Sequence, residues 1–301
     1  MNILIFGAKG QVGMALILAA QNNNISSSVY PIGHAECDIT NSEAVEKILK
    51  EYRSKLGRCM IVNAAGWTQV DDAEERVKET FETNWRGPLH LAQSAEKYGH
   101  DLIQLSTDYV FDGMQESPYT EESPVNPLSI YGLSKEAGER AVRASCNRHI
   151  ILRTSWIFSL YGKSFIRKII ELAEKKDELT VVTDQIGSPT SASDLADAIL
   201  RISSTCQNDF FQGWGTYHYA GAPSASWYEV ACFVMTELSK HNLKSAKVIP
   251  ATSADFKMKA PRPAKSILSC NKIYRQFSIQ ESDWKAAIRK EIKSIAAEKH
   301  D

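Results

Sequence analysis

The strongest constraint on this chain lies at its beginning. A short apolar run, Ile3–Phe6, leads directly into Gly7-Ala8-Lys9-Gly10-Gln11-Val12-Gly13 and then into a helical pattern. Glycines at such a strand-to-helix junction let the backbone turn tightly and bring its N–H groups close to a pyrophosphate at the helix N-terminus. The spacing is G-x-x-G-x-x-G, and its place after an N-terminal strand points to a dinucleotide site. Further β-rich runs follow at Val29–Ile32, Met60–Asn63, Leu102–Ser106, Ile150–Arg153 and Thr180–Val182, separated by helical stretches. Parallel strands need crossover connections, so this alternation predicts an α/β fold, a parallel sheet with helices on both faces. The clearest helix is predicted to begin at the capping-box pattern Thr40-Asn41-Ser42-Glu43 and to carry Ala44, Val45, Ile48, Leu49 and Tyr52 on one face. After about residue 200 the alternation fades. Aromatics then cluster at Trp214, Tyr217, Tyr219, Trp227 and Tyr228, which suggests a second, smaller lobe.

Composition narrows the function classes. A length of 301 residues, 43% of them hydrophobic, allows one large domain or two smaller ones with a sizeable core. Lysine and arginine total 35 against 36 acidic residues, a net charge of −1, which argues against a nucleic-acid polymer as partner. The six cysteines are scattered, with no CxxC pair and no zinc-like spacing; reduced thiols and no metal are expected. Ile3–Phe6 is too short for a signal-peptide core, and Met14–Ala20 is too short to span a bilayer, so no membrane partner and a cytoplasmic location are expected.

Two segments carry the chemistry. Tyr131 and Lys135, at i and i+4, fall on the same side of one helix. A phenol with pKa near ~10 is a poor proton donor or acceptor at neutral pH, and a nearby ammonium is expected to lower that value. Upstream, Ser106-Thr107-Asp108-Tyr109 closes a buried strand, placing hydroxyls at a strand C-terminal end, where open α/β sheets bind ligands. At the end of the second strand, Tyr30-Pro31-Ile32-Gly33-His34 lacks the usual ribose-binding acid, with Glu36 slightly beyond. NADPH is therefore acceptable, and no arginine there excludes NADH. Asp38 could accept a bond from an adenine amino group or assist the following helix cap.

Together these residues resemble the dTDP-4-dehydrorhamnose reductase family of the extended short-chain dehydrogenase/reductases. The resemblance runs through GAKGQVG at 7–13, CDIT at 37–40, NAAGWTQVDDAE at 63–74, STDYVFDG at 106–113 and YGLSK at 131–135. It continues through RTSW at 153–156, DQIGSPT at 184–190, HYAGAPSASWYE at 218–229 and RPAKSIL at 262–268. It implies a Rossmann-type doubly wound parallel sheet with a smaller C-terminal substrate-binding lobe. The expected boundaries are 1–153 for the dinucleotide-binding domain and 154–301 for the substrate lobe, with 178–203 returning to the first.

The implied activity is NADPH- or NADH-dependent reduction at C4 of dTDP-4-dehydro-L-rhamnose to dTDP-L-rhamnose. By the same resemblance Tyr131 is the general acid, Lys135 lowers its pKa and binds the nicotinamide ribose, and Thr107 hydrogen-bonds the reacting oxygen. Gly7, Gly10, Gln11, Val12 and Gly13 form the pyrophosphate loop. Asp38 and Ile39 meet the adenine end, while Ala64, Ala65 and Gly66 lie beside the cofactor. Val70, Thr107, Asp108, Tyr109 and Trp156 line the sugar pocket, Trp156 as a platform, and Arg262 faces the nucleotide phosphates. Asn84 is read as a support or water-ordering residue, and His218 as a packed one. Ser193 stands where some relatives carry a glutamate of a metal-bridged dimer, so no such bridge is expected; a monomer or homodimer remains. Two alternatives stay open: a reductase making the C4 epimer, a dTDP-6-deoxy-talose, and a non-catalytic NADP-binding relative, the regulatory subunit of methionine adenosyltransferase.

Overall fold

A computed structural model describes residues 2–23, 28–159, 161–162 and 164–300. Five strands, β1 (Asn2–Phe6), β2 (Val29–Ile32), β3 (Cys59–Asn63), β4 (Asp101–Thr107) and β5 (His149–Thr154), join Gly215–His218 in one six-stranded sheet. Its order is β2-β1-β3-β4-β5 followed by Gly215–His218, and every pairing is parallel. The helices named below are α1 (Gln11–Asn22), α2 (Ser42–Leu56), α3 (Val70–Ala73), α4 (Val77–Phe81), α5 (Gly87–Tyr98), α6 (Ile130–Ser145), α7 (Phe165–Ala173), α8 (Ala192–Cys206) and α9 (Trp227–Lys240).

Side chains alternate across the strands, so each strand feeds two cores. Ile3, Ile5, Met60, Val62, Ile103, Leu105, Ile150 and Leu152 pack with Val12 and Leu16 of α1 and Leu195 and Ile199 of α8. On the other face Leu4, Phe6, Ile61, Leu102 and Ile151 pack with Val45 and Leu49 of α2, Leu91 of α5 and Val142 of α6. A fully buried Leu or Ile of this kind contributes roughly 1.5–3 kcal/mol. This double coverage explains why the strands read as continuous apolar runs. The chain reverses its winding between β1 and β3. The ends of these strands, at Gly7 and at Ala64–Gly66, therefore bound the crevice where doubly wound sheets take ligands.

Three local expectations are corrected. Thr180–Val182 is a strand (Glu178–Val182), but it pairs with Lys247–Ala251 outside the large sheet. Its residues alternate between buried and exposed, whereas a strand inside the sheet is covered on both faces. The sixth place goes to Gly215–His218, in the region where the alternation had faded. At α2 the cap is Asn41, whose side chain accepts the Ala44 N–H at 3.0 Å, and the Thr40 hydroxyl turns to Asp38 instead.

The segment 178–203 divides. Leu179 and Val181 belong to a third core with Phe158, Ile166, Val230, Val234 and Trp284, whereas α8 packs against α1 on the large sheet. The six cysteines are free. Among the described residues no helix is long and apolar enough to cross a membrane.

Candidate active site

The glycine loop is shaped by contacts that only hydrogen permits. Gly7 has φ +79°, and a Cβ on it would lie 2.5 Å from the Ala65 nitrogen; one on Gly13 would lie 2.4 Å from the Gly7 oxygen. The Gly10 N–H donates to the Gly7 carbonyl at 3.0 Å, and no side chain caps α1 at Gly10. The first-turn N–H groups of α1 thus stand at the mouth of the loop, a geometry suited to an anion. Beside it a cleft of about 730 Å³ is lined by Gly7, Cys37, Asp38, Ile39, Ala65 and Gly66. Gln11 and Val12 open α1, and Gln11 also lines the adjoining catalytic pocket. This cradle, which a Cβ would fill, fits a dinucleotide.

Two of its residues are held from within. Asp38 accepts both the N–H and the hydroxyl of Thr40 at 2.9 Å, so it fixes the turn before α2, one of the two roles considered for it. Ile39 is buried, and a Cβ on Gly87 would sit 2.5 Å from its Cδ1. Ala64 donates its N–H to the Phe6 carbonyl and Ala65 donates to the Asn63 side chain, which ties the end of β3 to β1. Asn84 acts as a clamp. From a π-helical turn (Glu82–Arg86) it accepts the Trp67 N–H at 2.8 Å and donates to the Trp67 carbonyl and the Ser134 hydroxyl, both at 3.0 Å. It thereby fixes the Gly66–Trp67 loop against α6.

The catalytic candidates meet where β4 ends under α6. Thr107 donates to Asp108 Oδ1 at 3.0 Å and accepts the Tyr109 N–H at 3.2 Å, and it lines the same pocket as the Tyr131 phenol. Asp108 is buried and also accepts the Ser266 hydroxyl at 2.5 Å. Desolvation pushes its carboxyl up to about 6 against these bonds. Lys135 is buried and donates to the Leu105 carbonyl at 2.7 Å, and loss of water brings its pKa down to about 8 although Glu139 opposes the change.

The phenol moves opposite to expectation. Burial pushes Tyr131 up to about 12, and the Asp108 charge adds to this. The Lys135 ammonium donates to the Leu105 carbonyl. Behind this wall Glu139 accepts from Ser106 at 2.6 Å and from Arg153 at 2.7 and 2.8 Å, a buried ion pair that closes the sheet beneath the site.

The opposite wall comes from β5 and the smaller lobe. A pocket of about 310 Å³ is lined by Thr107, Tyr131, Thr154, Trp156, Phe165 and Trp227, and Val70, Asp108 and Tyr109 reach it as well. Tyr109 meets Tyr131 edge to face at 5.6 Å. Trp156 has φ +47°, unusual for a bulky residue. Trp227 stacks on it at 3.5 Å and 6°. A Cβ on Gly187 would lie 2.4 Å from Trp156 Cε2, and its three nearest atoms all belong to Trp156. On the Trp227 side such an atom would meet Trp227 first, so Gly187 covers the other face. Trp227 thus already occupies one face of the Trp156 ring, and both tryptophans line the pocket.

Arg262 is also placed differently from expectation. It forms a two-pronged ion pair with Asp71 at 2.8 and 3.1 Å and donates to the Ala260 carbonyl, so its charge is balanced and does not stand free for phosphates. His218 is fully buried, hydrogen-bonded to the Tyr119 carbonyl, and burial brings it down to about 3. Among the described residues no three His, Cys, Asp or Glu side chains are grouped to hold a metal.

Residues 1–297 match the family model described as the RmlD substrate binding domain. The chain belongs to this family. A dTDP-4-dehydrorhamnose reductase of Aggregatibacter actinomycetemcomitans is 38% identical, with 96% of this chain and 97% of that protein covered. Among solved RmlD-like structures, a dTDP-4-dehydrorhamnose reductase from Clostridium acetobutylicum superposes with a TM-score of 0.88 at 34% identity, covering 98% and 99% of the two chains. One from Bacillus anthracis, solved in complex with NADP, gives 0.86 at 32% identity, covering 98% and 100%.

Within the RmlD site, sequence reasoning missed Ser266, Gly187 and the bracing role of Trp227. Their partners lie far away in the chain, and only the quoted motifs DQIGSPT, HYAGAPSASWYE and RPAKSIL hinted at them.

Proposed function

We propose that this chain reduces the C4 keto group of dTDP-4-dehydro-L-rhamnose to dTDP-L-rhamnose, using NADPH. The observation that carries the reading is the Tyr131 phenol, which shares one pocket with Thr107, Asp108 and Gln11 of the glycine loop. NADPH, when bound, supplies the hydride. The chain supplies everything else.

The N–H groups of Gly7–Gly13 and of the first turn of α1 bind the pyrophosphate. The Lys135 ammonium donates to the ribose beside the nicotinamide and brings positive charge under the reacting oxygen. Tyr131 donates its proton to the C4 oxygen as negative charge develops there. A phenol raised to about 12 stays protonated throughout the neutral range, which suits an acid serving reduction. Thr107, committed to Asp108 as a donor, orients the phenol and shares the developing charge as its bonds rearrange. Val70, Asp108, Tyr109 and Trp156 bound the sugar.

The same proposal holds a cofactor lobe through residue 153 and a substrate lobe from 154, with α8 returned to the first. A cytoplasmic location and a monomeric or homodimeric state are further parts of it. The test is Tyr131→Phe in single-turnover kinetics. Hydride transfer should slow by about 10³-fold while NADPH affinity stays within about twofold of wild type. Undiminished transfer would remove Tyr131 as the acid.

A further inference from the structure

We infer that the side-chain hydroxyl of Thr154 binds the nicotinamide carboxamide of the cofactor, and so fixes the ring against Tyr131. The inference rests on the NADPH reading above and adds a residue to it.

The observation is an unmet hydrogen bond in the right place. Among the described residues five buried side-chain polar atoms have no partner: Thr80 Oγ1, Arg148 Nη2, His149 Nε2, Thr154 Oγ1 and Ser203 Oγ. Of these residues only Thr154 lines the catalytic pocket. It is 4% exposed, so bulk water does not supply the missing partner. Leaving a buried hydroxyl unpaired costs about 1–3 kcal/mol, which makes such an atom at a ligand site a marker of what the ligand offers.

The other buried hydroxyls and carboxylates around the pocket are already engaged. Ser106 donates to Glu139, Thr107 to Asp108, and Ser155 to the Ser188 carbonyl at 2.6 Å. Asp108 is held by Thr107 and Ser266. Thr154 alone keeps a free donor and a free acceptor at this depth.

Its position selects the ligand group. Thr154 is the register partner of Thr107, so the two threonines end adjacent strands side by side. Along β5 it continues the alternation of Ile150 and Leu152, whose face packs on α1, the helix opened by the dinucleotide loop. Thr154 thus stands on the cofactor side of the pocket floor, while Arg153 turns to Glu139 beneath α6. A nicotinamide that serves a carbonyl at Tyr131 must lie over this floor. Its one hydrogen-bonding substituent is a carboxamide, which both donates and accepts. A hydroxyl with both capacities unused matches it.

The test compares two ligands on the full chain: NADPH, and 2′-phospho-ADP-ribose, which is the same nucleotide without the nicotinamide. Affinities of wild type, Thr154→Val and Thr154→Ser are measured by fluorescence titration or calorimetry. Thr154→Val should weaken NADPH about fivefold to tenfold and leave 2′-phospho-ADP-ribose unchanged, while Thr154→Ser should bind NADPH within about twofold of wild type. Thr154→Ala serves as a second variant should valine disturb the floor, with the same selective loss expected. Equal NADPH affinity in wild type, Val and Ala variants would overturn the inference, as would an equal loss for both ligands. If wild type binds neither ligand, the NADPH reading itself fails.

Discussion

The wall built by β4 and α6 and the wall built by β5 and the smaller lobe face each other across one pocket, yet they treat polar atoms differently. On the first, Ser106, Thr107, Asp108, Lys135 and Glu139 all bond to protein partners, and loss of water moves the pKa values of Asp108, Tyr131 and Lys135. On the second, Thr154 keeps an unpaired hydroxyl, and Trp156 is held in a strained backbone conformation between Trp227 and Gly187. The first wall is a preorganised proton-transfer device, whose groups need little rearrangement when charge develops. The second is shaped for what it receives. The proton-transfer groups thus gather at β4 and α6, while the unpaired hydroxyl lies on β5, although Thr107 and Thr154 are neighbours in register.

The contrast can be broken most forcefully from beneath the first wall. Arg153→Met removes the main partner of the buried Glu139 carboxylate and should destabilise the fold by about 3–5 kcal/mol, read by denaturant unfolding. A change below ~1 kcal/mol would mean that this pair is not what holds β5 under α6.

A smaller effect separates the protonation states on that wall. Burial pushes the Asp108 carboxyl up to about 6 and brings the Lys135 ammonium down to about 8. Below pH 6 the Asp108 carboxylate gains a proton and no longer accepts from both Thr107 and Ser266; above pH 8 Lys135 loses its charge. The kcat/KM for reduction should therefore plateau between about pH 6 and 8 and fall on both sides. Asp108→Asn should abolish the acid limb and leave the alkaline one. An acid limb that persists in this variant would assign it to another group.

The mildest expected effect belongs to the second wall. Trp227→Ala removes one side of the Trp156 sandwich, a stack worth about 0.5–1.5 kcal/mol beyond its buried area. The KM for the nucleotide sugar should rise about threefold to tenfold with kcat within about twofold. A fall in kcat at constant KM would instead tie the stack to the chemical step.

The two walls also differed in how well the sequence foretold them. The glycine loop, the strand ending at Thr107 and the Tyr131–Lys135 pair are local patterns, set by a turn, a strand end and one helical turn. The turn, the strand end and the helix form at these positions. Contacts between distant segments are not local patterns of this kind: Asp108 with Ser266 on the first wall, Asp71 with Arg262 beside it, and Trp156 with Gly187 and Trp227 on the second. No periodicity marks such partners. The sign of the Tyr131 shift escaped for a related reason, since helical spacing gives the i, i+4 relation to Lys135 but neither the burial of the phenol nor the Asp108 charge beside it. The edge strand Gly215–His218 was hidden by its short length and mixed composition, and Thr180–Val182 resembled a sheet strand because three apolar-compatible residues look alike in either sheet.

The most direct test of the function is the product itself. The purified chain is incubated with NADPH and dTDP-4-dehydro-L-rhamnose, formed in place by epimerisation of the 4-keto-glucose nucleotide, and the product is identified by NMR. The expected result is one NADPH oxidised for each dTDP-L-rhamnose formed. Absence of NADPH oxidation, or appearance of the 6-deoxy-talose epimer at C4, would contradict the account.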